Sequence, residues 1–383
     1  MKKYITYLTA ALLAVNFTAC SDFLDKEVDL ALGPEDVFNK FENTRGQLAN
    51  IYTYLPDAFG GYGDEQFLGA SRDCMTDNAI SFWNVHRYHS VLSGSYSAVN
   101  HWFAEYFWDR NAKAIRTANT FLTYAKESVI KNKETNDDDN RLYDRYVAEA
   151  RLLRAIFHFD WVYYFGDIPV LGEDEEGKPI IFDYTNTAAM NQPRTKAAEA
   201  LQWIADECDK VKDVLPFRYK QEELNWGRVN GAAAYALKAR ALLYKASPLN
   251  NPTNDKSWWK AAADAATAFI SKNSQQTNPY RLYTTKDNDP KQNYYQCFVS
   301  TPHLNNEYIL SRSEWTTNVI ERLLTPCGFT GQANAVGRTN PTQNLVDSYE
   351  TINGKPIDQD ASYDPQNPYA NRDPRLEQTI LHH

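Results

Sequence analysis

No two cysteines in this sequence stand at the CxxC spacing, no stretch is long enough to cross a membrane, and positive charge is in deficit. Each absence removes a class of function. Without CxxC, the five cysteines do not read as a zinc ribbon or a thioredoxin-like redox site. Cys74, Cys208, Cys297 and Cys327 could still pair in an oxidising compartment, in combinations that spacing does not fix. The apolar run at residues 4–15 falls short of the ~20 residues a helix needs to span a bilayer. With 40 Lys and Arg against 49 Asp and Glu, the net charge is -9 and no basic patch is visible, which argues against nucleic acid as a partner. P-loop, G-x-S-x-G, H-E-x-x-H and dinucleotide fingerprints are all missing, so no cofactor is expected. No pair of acidic residues stands out as a glycosidase's two carboxylates. Residues 131–141 are acidic but lack the Gly and closing Glu of an EF-hand, and read as a solvated turn. His86 and His89 could bring two metal ligands together, with His101 further on. No carboxylate completes that set, and packing or surface histidines are the plainer reading.

What is present is helix and ring. Aromatic residues make up 14% of the chain, including 25 Tyr and 9 Trp. Rings with polar tips suit ligands that are partly apolar, but they also pack between helices. The strongest helical pattern spans residues 148–171. Ala148, Leu152, Ala155, Phe159 and Val162 fall on one side; Leu153, Ile156, Phe157, Trp161 and Tyr164 cover a second. A helix apolar on two sides has to be covered twice, so it lies inside a stack. Gly166 and Pro169 stop it.

Further helices are expected at 34–54, 101–129, 195–215, 228–246 and 257–272, the last capped by Ser257. Leu201, Ile204, Cys208, Val211 and Leu215 form one stripe; Trp258, Ala262, Ala265 and Phe269 form another. These helices pair as 101–129 with 141–165 and as 195–215 with 228–246, while 257–272 has no assignable partner. Closing prolines and small residues at the crossings resemble tetratricopeptide hairpins with a blurred repeat. Residues 57–100 read as a long irregular excursion, marked by Gly60, Gly61, Gly63 and Gly69. Beyond residue 273 clear helices nearly vanish; 307–311 reads as a short strand and the last residues as the start of another.

The N-terminus has the form of a secretory leader. Lys2 and Lys3 precede the apolar run, which closes on Phe17-Thr18-Ala19-Cys20. This resembles a bacterial lipobox, whose cysteine is acylated. Each buried CH₂ contributes ~0.8 kcal/mol, so two or more acyl chains hold a soluble body firmly on a membrane.

Four phrases follow in order: A-E-A-R-L-L-R-A then F-G-D-I-P from Ala148; G-R-V-N-G-A-A-A-Y-A-L-K-A-R from Gly227; P-T-Q-N-L-V-D-S-Y-E from Pro341; and N-R-D-P-R from Asn371. Together they resemble the SusD/RagB family of surface nutrient-binding lipoproteins. The resemblance implies a mostly α fold of degenerate tetratricopeptide-like hairpins forming a curved scaffold, with long loops and a loop-rich, little-strand C-terminal region. It implies a leader at 1–19, a lipidated tether at 20–33, a helical repeat region at 34–272 and a partial C-terminal region at 273–383, shortened relative to the family. It implies no enzyme, but an outer-membrane lipoprotein that binds an oligosaccharide and delivers it to a SusC-like TonB-dependent transporter. A peptide or glycopeptide receptor, a helical scaffold and a glycosidase are the alternatives. Family ligand sites form between an early loop and the C-terminal half, which selects Tyr62, Arg72, Asp77, Asn78, Trp83, Asn84, Tyr295 and Trp315 as a group. Acylation falls on Cys20.

Overall fold

The structure is a computed structural model that describes residues 33–56, 72–81, 86–101, 104–131, 141–181, 191–313, 323–326 and 337–382. The leader, Cys20 and the tether up to residue 32 lie outside them. Six helices form a stack: α1 (Phe41–Tyr52), α2 (Asp109–Tyr124), α3 (Leu142–Phe165), α4 (Ala197–Val211), α5 (Gly231–Ala246) and α6 (Lys256–Ser274). Each packs on the next, as the hairpin reading expects, and α6 finds its partner in α5. The fold is mostly α.

Sequence pattern explains the core of this stack. Helix α3 is covered by α2 on one side and α4 on the other, which answers its two apolar faces. Its Leu152, Leu153, Ala155 and Phe157 are fully buried. Gly166 ends it with a φ of 70°, a left-handed value that disfavours any side chain. Leu201, Ile204, Cys208 and Val211 on α4 are buried, as are Ala262 and Ala265 on α6. Gly231 opens α5 against the end of α4; a Cβ there would meet the Lys212 carbonyl at 2.5 Å. Cys74, Cys208 and Cys297 stand as separate buried thiols.

Four helix expectations needed correction. The first helix is broken: a single turn at Pro34–Val37 is followed by extended Lys40, and α1 begins only at Phe41. The break turns Phe38 inward, against Phe121 at 5.9 Å and Tyr124 at 6.0 Å. The second is a π-turn at Ala104–Trp108, then α2, then extended Ala125 before a turn at Glu127–Ile130. Asp255, not Ser257, caps α6; its carboxylate accepts the Ser257 N–H at 2.8 Å. His86 and His89 lie on a short helix, His86–Leu92, rather than in a loop.

The late region also holds more helix than its composition suggests: α7 (Pro290–Val299), α8 (Gln343–Ser348) and α9 (Pro374–Thr379). Residues 307–311 are not a strand, and the last described residues leave α9 without entering one. The only sheet among the described residues pairs β1 (Ala79–Ser81) antiparallel with β2 (Thr339–Pro341).

The stack is fastened by buried charge. Arg154, inside α3 with no exposed surface, donates to Asn119 of α2 (2.8 Å), Glu207 of α4 (2.6 Å) and Glu173 (2.8 Å) of the loop after α3. Glu173 therefore belongs to the core network, while Asp174, Glu175 and Glu176 after it are exposed. Burial alone would raise the Glu207 carboxyl, but Arg154, Lys210 and Arg151 hold it below the ordinary carboxylate range. His158 sits one turn further on. Its Nε2 accepts the Leu171 N–H at 3.0 Å, so Nδ1 carries the proton and donates to the Arg154 carbonyl at 2.8 Å. Burial and the nearby Arg154 charge lower its pKa from 6.5 to about 3.

Two predictions follow from this network. Replacing Arg154 with Met leaves buried Glu207 and Glu173 with only the partly exposed Arg151 and Lys210 as cations, and should cost about 3 kcal/mol in urea unfolding. Because the unfolded chain protonates His158 near 6.5 and the folded chain only near 3, the stability it confers is present above pH 6.5 and is lost as pH falls toward 3. The slope from this one group is about 1.4 kcal/mol per pH unit. His158→Asn should flatten the fall of stability across that window; an unchanged slope would show that the imidazole is not held neutral.

Candidate functional site

A cleft of about 660 Å³ opens between α3 and α5. It lies along the edge of α3 where its two apolar sides meet. Ile156, Phe159, Asp160 and Tyr163 recur at three- and four-residue spacing and line the cleft from one side. From α5 come Ala233, Ala236, Leu237, Arg240 and Tyr244, where the two alanines leave the space. Arg72 closes one end.

The rings form a continuous run. Phe159 and Tyr244 meet edge to face at 5.2 Å, Tyr244 and Tyr163 lie 6.2 Å apart, and Tyr163 meets Tyr164 at 4.9 Å. Tyr163 is 52% exposed and Tyr244 36%, unusual for rings amid a helical core. The Arg72 guanidinium lies 5.8 Å from the Tyr164 ring centre. Asp160 is held in place by an ion pair to Arg110 and by the Asn111 side-chain amide at 3.0 Å. The cleft thus offers ring faces together with an oriented carboxylate and two guanidiniums. Such a surface suits a ligand with flat C–H faces and hydroxyl edges.

Among the described residues, Arg72 is the one expected site residue that lines this cleft. Asp77 and Asn78 lie on the same segment, immediately before β1. Their backbone carbonyls accept from Thr342, the residue that caps α8: its hydroxyl donates to both and its N–H to Asn78 at 2.9 Å. The third motif thereby meets the early excursion, 265 residues away in the chain. Arg372 of the fourth motif donates to the Val346 and Tyr349 carbonyls, both at 2.7 Å, and locks α8 to the loop before α9. Tyr295 was expected in a loop; it sits on α7, half exposed, and does not line the cleft. Tyr62, Trp83, Asn84 and Trp315 lie outside the described residues. So does the side chain of His86.

The sequence reading missed Asp160, Tyr163, Arg240 and Tyr244. A signal for two of them was available: Asp160 and Tyr163 fall four and seven residues after Ile156, on the same edge of α3. On α5 the crowd of alanines drew the eye to packing instead.

A SusD-like family model, described as starch-binding and associating with outer membrane, matches residues 22–243. The SusD family model matches residues 259–383. The chain belongs to the SusD/RagB family. Solved structures share its fold. One is a SusD-like carbohydrate binding protein from Bacteroides fragilis, with a TM-score of 0.62 and 23% identity over 90% of this chain and 60% of that one. A second SusD-like protein from the same organism gives 0.63 and 19%, over 90% and 62%. Surface glycan-binding protein A from Bacteroides thetaiotaomicron, in complex with laminarihexaose, gives 0.51 and 18%, over 81% and 61%. This SusD/RagB chain thus spans less than two thirds of the length of each. No curated protein matches it.

The junction between the early and late motifs is testable. Thr342→Val removes the hydroxyl that caps α8 and donates to Asp77 and Asn78, and should cost about 1 kcal/mol. Amide protons of β1 and β2 should exchange faster with deuterium in the variant; equal exchange would mean that Thr342 does not hold the two segments together.

Proposed function

We propose that the protein is a glycan-binding lipoprotein of the outer cell surface. Acylated Cys20 holds it on the outer membrane, and it passes captured oligosaccharide to a SusC-like TonB-dependent transporter. One observation carries the glycan reading: the walls of the α3–α5 cleft combine exposed ring faces (Phe159, Tyr163, Tyr244) with fixed charges (Arg72, Asp160, Arg240). Ring faces cover the C–H faces of a sugar, and the charged groups take its hydroxyls in strong, directed hydrogen bonds. Water competes for every hydroxyl, so net affinity accumulates from several modest contacts.

Family membership supports the same reading, as does the laminarihexaose held by a relative of the same fold. Asp77, Asn78 and Tyr295, with Tyr62, Trp83, Asn84 and Trp315, are proposed as further ligand contacts. The anchor, the surface address and the transporter rest on the leader and the lipobox-like Cys20, and on the family resemblance. Residues 20–33 are the proposed tether, with the helical region at 34–272 and the late region at 273–383 as its cargo-bearing body. The function is capture rather than catalysis.

Calorimetry against glycan and peptide panels tests the cargo. A glycan should bind, and Tyr163→Ala and Tyr244→Ala should each weaken it about fivefold, the loss of ~1 kcal/mol per ring. Heat with peptides alone would turn the reading to a RagB-like peptide receptor, and heat with neither to a plain scaffold. Mass spectrometry should find Cys20 acylated in membrane-extracted protein, and pull-down from native membranes should recover a large β-barrel.

A further inference from the structure

Three charged groups line the α3–α5 cleft among the described residues: Arg72, Asp160 and Arg240. Asp160 is the only acid, and its charge is already answered. Arg110 forms an ion pair with it, and the Asn111 side-chain amide donates to it at 3.0 Å. Arg110 stands behind the wall with a tenth of its side chain exposed, so the pair as a whole is neutral. Arg72 is engaged over the Tyr164 ring, 5.8 Å from its centre.

Arg240 differs from both. It is exposed at the cleft wall. Helix α5 holds no acidic residue, so no ion pair to a neighbouring turn can form along it. Its two other cations are taken up by α4: Lys238 pairs with Asp209 at 2.6 Å, and Lys245 donates to Gln202 at 2.7 Å. Among the described residues, nothing forms a hydrogen bond or ion pair with the Arg240 guanidinium. On a chain of net charge -9, a helix with three cations and no acid is a local reversal of sign.

The position of Arg240 matters as much as its charge. On the helix face its neighbours are Ala236 one turn back and Tyr244 one turn on, about 5–6 Å away between Cβ atoms. The alanine leaves the guanidinium room. Tyr244 meets Phe159 of the opposite wall at 5.2 Å, and Asp160 follows Phe159. A sugar ring resting on these two aromatic rings has the Arg240 fork within one helical turn on the α5 side and an oriented carboxylate on the α3 side.

We infer that the cleft selects an acidic glycan, with Arg240 taking the carboxylate of a uronic acid unit. This rests on the reading of the cleft as a glycan site and adds the class of glycan. A planar guanidinium matches a carboxylate through two parallel N–H···O bonds, and such charge-assisted bonds are about twice as strong as those to a neutral hydroxyl. Asp160, an acceptor only, takes sugar hydroxyls. Paired with Arg110, it does not repel the acid.

The probes are oligosaccharides of galacturonate, of mannuronate and of hyaluronan, each beside its carboxyl-reduced, neutral twin. They are titrated into the purified chain by calorimetry. At least one acidic form should bind about tenfold more tightly than its twin, and that advantage should shrink as salt is raised. In Arg240→Gln the two forms should bind within about twofold of each other. Arg240→Lys, which keeps the charge but not the fork, should retain part of the preference. Unchanged thermal melting would show that both variants are folded. A neutral glycan bound as well as every acidic one, a full acidic preference in Arg240→Gln, or a Lys variant no different from Gln would overturn this assignment and leave the glycan reading standing. Absence of binding to acidic and neutral glycans alike would remove both.

Discussion

Arg154 carries a positive charge at a point in α3 with no exposed surface. Taking a guanidinium out of water costs several kcal/mol, and that is offset only if opposite charge and hydrogen-bond acceptors stand ready around it. Here they come from three separate elements: Asn119 on α2, Glu207 on α4 and Glu173 on the loop after α3. Asn119 is occupied twice over, since its amide group also donates to the Leu171 and Ile180 carbonyls of that loop. None of these partners can move without breaking a bond to Arg154. A slip of one helical turn, about 5.4 Å, would leave Arg154 beside apolar carbon. Hydrophobic faces bring α2, α3 and α4 together but tolerate several registers; the charge admits one.

The same logic repeats five residues earlier on α3. Glu149 is fully buried and takes Arg228, Arg145 and the Tyr52 hydroxyl, so α1, α3 and the entry to α5 share one fixed point. Tyr52 passes the constraint on, accepting the Val229 N–H at 3.3 Å. Several charged letters of the first two motifs are thus structural. Glu149, Arg151 and Arg154 of the first and Arg228 of the second hold helices in place, while Arg240 of the second lines the cleft.

This explains which parts of the molecule were legible in the sequence. Apolar periodicity identifies α3, α4 and α6, because burial on one or two faces leaves a pattern of three and four. Gly166 marks its own helix end. The breaks at Lys40 and Ala125 carry no glycine or proline; the first lets Phe38 reach α2, a tertiary demand that no local residue announces. Helix α7 did carry local signals, Asp289 as cap and Pro290 in the first turn, but its exposed Tyr and Asn residues blur the period. The β1–β2 pair is three residues long on each side and depends on segments distant in the chain. Of the expected ligand residues, Arg72 could be picked because an arginine in a ring-rich excursion suits a sugar. Asp160 and Tyr163 stayed hidden because their helix was already accounted for as core.

The overlap of site and core on α3 has a consequence for how a ligand is held. Asp160 stands one turn after Ile156 and six residues after Arg154, on a helix whose position is fixed by buried charge. Its carboxylate is further aimed by Arg110, which itself lies over the Phe107 ring at 5.2 Å and donates to Asn111. A polar group already held by its neighbours loses little freedom when a ligand arrives, so more of each contact survives as affinity. In the proposed glycan site these rigid charges fix where a sugar ring can sit.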